Sequence, residues 1–342
     1  MNYRYAGVDL HKRSFTVCWI SDKGRKKTTE YKTDAVGYAL FKKKLNKECE
    51  VAVESSGNTG YFYDQISGLV KTVKVINTHK FKVISESVNK TDKRDAETIS
   101  EFLKKDMIPE IRMKNKDERA IQNLINTRDK LVKCRSTLKN QLHGILNSEG
   151  IVTERETFGS RKQLEEVKLV KGISETNRFV VGNIVDTIHA LNEQIKKLDE
   201  EIEKHGQKMD GFKNLISITG IGTLSASILL NTIGNIMNFA SEKKLFAYFG
   251  IVPRGYDSGG KQKRGHITKF GNKIARTTLV QITLIAMKFS PHIKEFYKRI
   301  KLKRGAGKAI IATARKMLGI IYKTLKNNWE FENFKNFELK KI

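Results

Sequence analysis

Apolar and polar positions change their period twice along this chain, and the changes divide it into thirds. In the first third, short apolar runs alternate with helical patterns. Tyr5 to Asp9, Ser14 to Ile20 and Lys27 to Thr33 read as strands, with a turn at Ser21-Asp22-Lys23-Gly24. Asp34 reads as the N-cap of a helix running to Leu45. Val51 to Glu54 is a short buried strand, about Tyr61 to Val70 a helix, and Val73 to Asn77 another strand. A helix from Asp92 to Lys105 follows, with Ala96, Ile99, Phe102 and Leu103 on its apolar face.

The middle third has the period of long helices. Leu124, Leu131, Leu138 and Ile145 recur every seventh residue, and Ile121 and Leu142 fit the companion position, which Arg128 and Arg135 interrupt. Ile184, Ile188, Leu191, Ile195, Leu198 and Ile202 alternate steps of four and three, the seam of a coiled coil. Two helices packing on each other within one chain, or oligomerisation through the second helix, both satisfy this pattern. Residues 151–178 are polar and aperiodic and read as a connector or insertion. In the last third, Leu215 to Ile218 leads through Gly220-Ile221-Gly222 into a helix from Thr223 to Leu230. This is either a helix–hairpin–helix-like element, whose Gly220 and Gly222 bring backbone N–H groups to a DNA phosphate, or a tight turn between core helices. Residues 248–272 read as a glycine-studded basic loop between helices.

Composition adds a partner. Net charge is +28 and the pI about 9.9, which calls for a polyanion. Residues 211–342 hold 25 Lys/Arg against 6 Asp/Glu, so most of the excess lies there. No apolar run approaches the roughly 18 residues that span a bilayer, and no signal-peptide pattern opens the sequence. Cys18, Cys49 and Cys134 form neither a zinc pattern nor a disulfide framework. The expectation is a cytoplasmic, nucleic-acid-binding protein with no membrane association.

Candidate chemistry lies in four acids and one serine. Asp9 and Glu54 end predicted strands, and Asp92 and Asp95 lie three apart on one helix, where side chains are neighbours. Each alone is better explained by capping or the helix dipole; together, in so basic a chain, they point to a hard divalent cation and phosphate chemistry. The element order, three strands, helix, strand, helix, strand, helix, is that of a ribonuclease-H-like domain. Ser258 sits in the basic loop with Arg254, Lys261, Lys263 and Arg264, where cations would stabilise attack on a phosphodiester. Taken alone, a Ser-Gly-Gly triplet is more often a plain turn. Lys269, Lys273 and Arg276 follow as backbone contacts, and residues 298–304 add further basic charge.

These segments resemble the DEDD-type transposases of bacterial insertion sequences, the insertion-sequence-one-ten family, related to the Piv-type DNA invertases. The resemblance rests on Gly7-Val8-Asp9-Leu10-His11-Lys12, Glu54-Ser55-Ser56-Gly57 and Lys90-Thr91-Asp92-Lys93-Arg94-Asp95-Ala96. Further along it rests on Gly220-Ile221-Gly222, Gly250-Ile251-Val252-Pro253, Ser258-Gly259-Gly260-Lys261 and Lys269-Phe270-Gly271-Asn272. It implies an α/β plus α architecture: a RuvC-like catalytic domain over 1–110, a helical coiled-coil and oligomerisation region over 111–210, and a mostly helical basic domain over 211–342. It implies that Asp9, Glu54, Asp92 and Asp95 are a tetrad binding Mg²⁺ or Mn²⁺, and that Ser258 is a nucleophile linking transiently to DNA. It also implies a structured bridge RNA pairing with donor and target DNA, and a dimer or tetramer. Two places depart from the family: the stretch Ser55 to Tyr61 reaches its aromatic late, and Asn77-Thr78 stands where Asn-Pro is usual. A Holliday-junction-type nuclease using activated water, or a non-enzymatic architectural DNA-binding protein, are the alternatives.

Overall fold

The computed structural model describes residues 3–78, 80–81, 91–258 and 261–332; at 256–258 and 261–264 it describes the backbone alone. The chain forms two compact units, Met1–Arg119 and Ala120–Ile342.

The first unit is built on β1 (Tyr3–Leu10), β2 (Ser14–Ser21), β3 (Lys26–Lys32), α1 (Ala35–Lys42), β4 (Glu50–Glu54), α2 (Thr59–Ile66), β5 (Thr72–Ile76), α3 (Asp92–Lys104) and β6 (Glu110–Ile111). The sheet order is β3-β2-β1-β4-β5-β6. β1, β4 and β5 are parallel, while β2, β3 and β6 run antiparallel to their neighbours. This is the ribonuclease-H-like order expected from the sequence, with the two-residue β6 added. β1 and β2 are apolar almost throughout because both faces are covered. On one face Phe15, Trp19, Tyr31, Phe41 and Phe62 pack as an aromatic cluster. On the other, α3 lies against β1 through Ala96, Ile99 and Leu103.

Gly7 sets the distance between β1 and α3. A Cβ there would stand 2.3 Å from the Ser100 amide nitrogen and 2.4 Å from the Ala96 carbonyl oxygen, so only glycine lets the helix come so close. Lys26 ties β3 to the same helix, with Nζ 2.6 Å from Glu97 and 2.8 Å from Glu101.

The second unit is mostly helical. α4 (Lys116–Ser148) enters it from the first, followed by α5 (Arg161–Lys168), α6 (Glu175–Gly206), α7 (Phe212–Ile216), α8 (Thr223–Ile233) and α9 (Glu242–Tyr248). Then come β7 (Pro253–Ser258), β8 (Lys261–Ile267), α10 (Lys273–Phe289), α11 (Pro291–Arg304) and α12 (Ala306–Lys326). α4 and α6 pack as an antiparallel pair within the chain. Leu142 and Leu146 meet Val181, Ile184, Val185 and Ile188 at one end, and Ile121 and Ile125 meet Ile202 at the other. The arginines that interrupt the α4 repeat are bonded across this pair: Arg128 to Asp199, and Arg135 Nη1 to Asn192 Oδ1 at 2.8 Å.

Residues 151–178, expected as a connector or insertion, carry a helix of their own, α5, started by a capping box between Ser160 and Gln163. Residues 248–272 are not a loop: β7 and β8 pair as an antiparallel ribbon with Ser258 opposite Lys261. In the same unit Leu229, Leu245, Leu279, Ile282, Met317 and Ile321 belong to one apolar core. No helix among the described residues is long and apolar enough to cross a membrane.

Candidate active site

Parallel pairing carries β1 and β4 to the same sheet edge. Val8 is opposite Val53, so Asp9 and Glu54 are the next residues on adjacent strands. The Asp9 side chain is 6% exposed. Burial pushes its carboxyl above the usual carboxylate range; His11 opposes that shift, and the charges of Asp92, Asp95 and Glu54 add to it. The other three acids of the predicted tetrad thus lie within electrostatic reach of Asp9.

The tightest grouping is smaller. Asp9, His11 and Asp92 each offer a donor atom, all within 4.8 Å of one another. His11 Nε2 lies 3.1 Å from Asp9 Oδ2 and 3.5 Å from Asp92 Oδ1. Glu54 is half-buried and Asp95 buried, and neither joins that set. Asp92 is not the cap of α3. Thr91 is, its hydroxyl accepting from the Arg94 amide at 3.3 Å. That leaves the Asp92 carboxylate at the first helical position, 60% exposed and turned toward His11. Beside it is an open polar cleft of about 600 Å³ lined by Thr16, Thr28, Thr29, Glu30 and Lys93.

The unusual segment after Glu54 has its own lock. The Thr59 hydroxyl donates to the Glu54 carbonyl at 2.8 Å and accepts from the Ser56 amide at 2.8 Å. Asn58 Nδ2 donates to the His11 carbonyl at 3.1 Å, tying the two strand ends together. His11 is the residue missed by reading the sequence. Its signal was the two-residue spacing from Asp9, just past the strand's end. The donor set, two carboxylates and an imidazole with only Asp9 buried, fits a divalent cation.

The predicted nucleic-acid contacts fall in the second unit. Ser258 and Lys261 are at the far end of the β7–β8 ribbon, and Lys263 and Arg264 follow on β8. Arg254 stacks over Phe270 at 5.7 Å, and that ring is 61% exposed. Lys269 and Lys273 are exposed. Arg276 is held instead by the carbonyls of Phe249 and Gly271 at the ribbon's root, and burial lowers its guanidinium from the usual range. Gly220 has a packing reason: φ is +101°, and a Cβ would stand 2.9 Å from the Ala286 amide nitrogen. Gly222 is the N-cap of α8 with open space about it.

A mixed sheet in this order, with acids from β1, β4 and the helix packed on them gathered at one edge, defines a RuvC-like catalytic domain. Family comparisons narrow the class. The DEDD_Tnp_IS110 family, described as a transposase, matches residues 6–150, and the family described as "Transposase IS116/IS110/IS902 family" matches residues 212–298. A transposase for insertion sequence element IS1111A of Coxiella burnetii is 27% identical over 331 residues, covering 93% of this chain and 88% of its own length. A transposase for IS1328 of Yersinia enterocolitica is 28% identical over 303 residues, 84% of each chain. A pilin gene-inverting protein of Moraxella bovis is 24% identical over 97% of this chain and 98% of its own. The chain belongs to the IS110 family of transposases and is an enzyme of DNA recombination.

Proposed function

We propose that the protein excises and inserts its own mobile element by strand exchange, with an acidic tetrad and a serine nucleophile. The observation carrying this reading is the convergence of Asp9, Asp92 and His11 within 4.8 Å, with Glu54 and Asp95 acting on the same buried carboxyl. In this reading Asp9, Glu54, Asp92 and Asp95 hold Mg²⁺ or Mn²⁺, which supplies charge neutralisation at the scissile phosphate. The Ser258 hydroxyl attacks phosphorus, forming a serine–phosphate ester as a DNA hydroxyl leaves with a proton. A second DNA hydroxyl then attacks that ester, restoring Ser258 and joining the new strands. The catalytic domain is residues 1–110, the helical region 111–210 serves assembly into a dimer or tetramer, and 211–342 is the basic domain.

The α7–α8 turn acts as a hairpin whose Gly222 end meets a phosphate. Arg254, Lys261, Lys263, Arg264, Lys269 and Lys273 hold nucleic-acid backbone, while base pairing to a structured bridge RNA reads donor and target sequence. The test is strand transfer between donor and target duplexes, with the element's non-coding RNA, in Mg²⁺ and in EDTA. Joined products that vanish in EDTA and in Asp92→Asn support the reading. Hydrolysed but unjoined ends would replace it with a nuclease using water.

A further inference from the structure

The second unit holds a cavity of about 640 Å³, within the range of ligand pockets. It is lined by none of the residues assigned above. One wall is the chain just beyond α12. Asn328 turns there with φ +53°. Asn214 Nδ2 donates to the Trp329 carbonyl at 2.7 Å, and the Phe331 amide donates to Ser217 Oγ at 2.7 Å. This wall is therefore fastened to α7, yet the Trp329 indole is 57% exposed.

The rest of the lining is aromatic and cationic. Phe246 and Phe296 face Arg315, Lys316 and Lys323, with Glu242 the carboxylate among them. Lys316 Nζ lies 4.7 Å over the Phe296 ring, and Arg299 lies 5.6 Å from the same ring. Arg315 donates through Nη2 to the Ile251 carbonyl at 3.1 Å, while its buried Nε has no hydrogen-bond partner among the described residues. Among the described residues none of these three lining cations makes an ion pair. Arg315 and Lys316 are partly buried and Lys323 is exposed at the rim, Lys316 Nζ lying 2.8 Å from His292 Nε2; three cations against the single carboxylate of Glu242 leave an excess of positive charge that an anion would relieve. An exposed indole in the same cavity suits a planar ring, and a carboxylate suits an amine on that ring's edge.

We infer that this cavity takes one unpaired nucleotide of the bound nucleic acid. Its base stacks on Trp329, its exocyclic amine donates to Glu242, and its phosphate meets Lys316 and Lys323. A paired base cannot enter, since both its faces are already stacked and its amine is engaged. The site would hold a base drawn out of a duplex or offered by a single strand, and so report that strands have been opened.

The chain has two tryptophans, and Trp19 is fully buried in the first unit, so quenching of tryptophan fluorescence by a ligand reads Trp329. The probe is a 5′-phosphorylated deoxyadenylate trimer added to the full chain. The expected result is saturable quenching, with the midpoint weakened about tenfold in Lys316→Gln and in Lys323→Gln, as loss of a charge-assisted contact requires. Trp329→Phe should abolish the signal while keeping calorimetric binding of the trimer. Thermal melting of each variant checks the fold, and Lys323, toward the end of α12, serves if Lys316→Gln does not fold. Three outcomes overturn the inference: no quenching, an unchanged midpoint in both lysine variants, or inorganic phosphate displacing the trimer as well as a free nucleotide does.

Discussion

Replacing Asp9 by Asn removes one negative charge from the acidic edge and keeps the side chain's shape. The donor atoms of Asp9 and Asp92 lie within 4.8 Å, where two unit charges repel by roughly 3.5 kcal/mol at an effective dielectric of about 20. Asp92 is 60% exposed, so solvent screening cuts this to about 1–2 kcal/mol, and the nearby His11 offsets part of it. Metal-free Asp9→Asn should therefore be about 1 kcal/mol more stable than the parent, a rise of roughly 2 °C in Tm. The sign has a pH signature. The Asp9 carboxyl is raised above its unfolded value, so its contribution is present below the ordinary carboxylate range and lost as pH rises through the raised pKa. The gap between variant and parent should thus open from about pH 4 toward neutrality. Excess Mg²⁺ or Mn²⁺ should reverse the order, because ligand at a hundredfold above Kd adds about 2.7 kcal/mol to the species that binds it. Differential scanning fluorimetry across pH, with and without metal, reads all three. A metal-free variant less stable than the parent, or a parent that metal does not stabilise, refutes the reasoning.

Other expectations follow from the same geometry. Gly7→Ala puts a methyl against the α3 backbone at 2.3 Å; it should cost about 1–3 kcal/mol in denaturant unfolding and about a hundredfold in strand transfer, because α3 carries Asp92 and Asp95 away from Asp9. His11→Ala should remove nitrogen coupling from the electron spin-echo spectrum of bound Mn²⁺ while leaving carboxylate-bound Mn²⁺ detectable; coupling that persists would show that His11 is not a ligand. Asp92→Asn and Asp95→Asn should each abolish recombination and weaken Mg²⁺ binding by calorimetry, and full activity in both would return the pair to a structural role.

Much of the first unit was legible because burial on both faces makes β1, β2 and β4 nearly continuous apolar runs, and because α3 shows a clear apolar stripe beside Asp92 and Asp95. The β7–β8 ribbon was not, since its residues are charged and glycine-rich and show no apolar alternation. A signal was present in Gly259-Gly260 between two extended runs, a hairpin cue. α5 escaped for the opposite reason: eight residues give too little periodicity, and its start is written in Ser160 and Gln163 rather than in apolar spacing. Arg128 and Arg135 looked like breaks in a heptad; their partners Asp199 and Asn192 lie dozens of residues away, where no local pattern reveals them. His11 escaped because a residue just past a strand reads as loop until the helix bearing Asp92 is placed beside it.

The most direct test of the central claim is covalent capture at Ser258. Full-length protein, its RNA, Mg²⁺ and a labelled donor duplex are mixed, denatured and resolved, and the linked peptide is identified by mass spectrometry. The expected result is a DNA adduct on the peptide carrying Ser258, absent in Ser258→Ala although that variant still binds RNA. Recombination by Ser258→Ala at the parent's rate would contradict it.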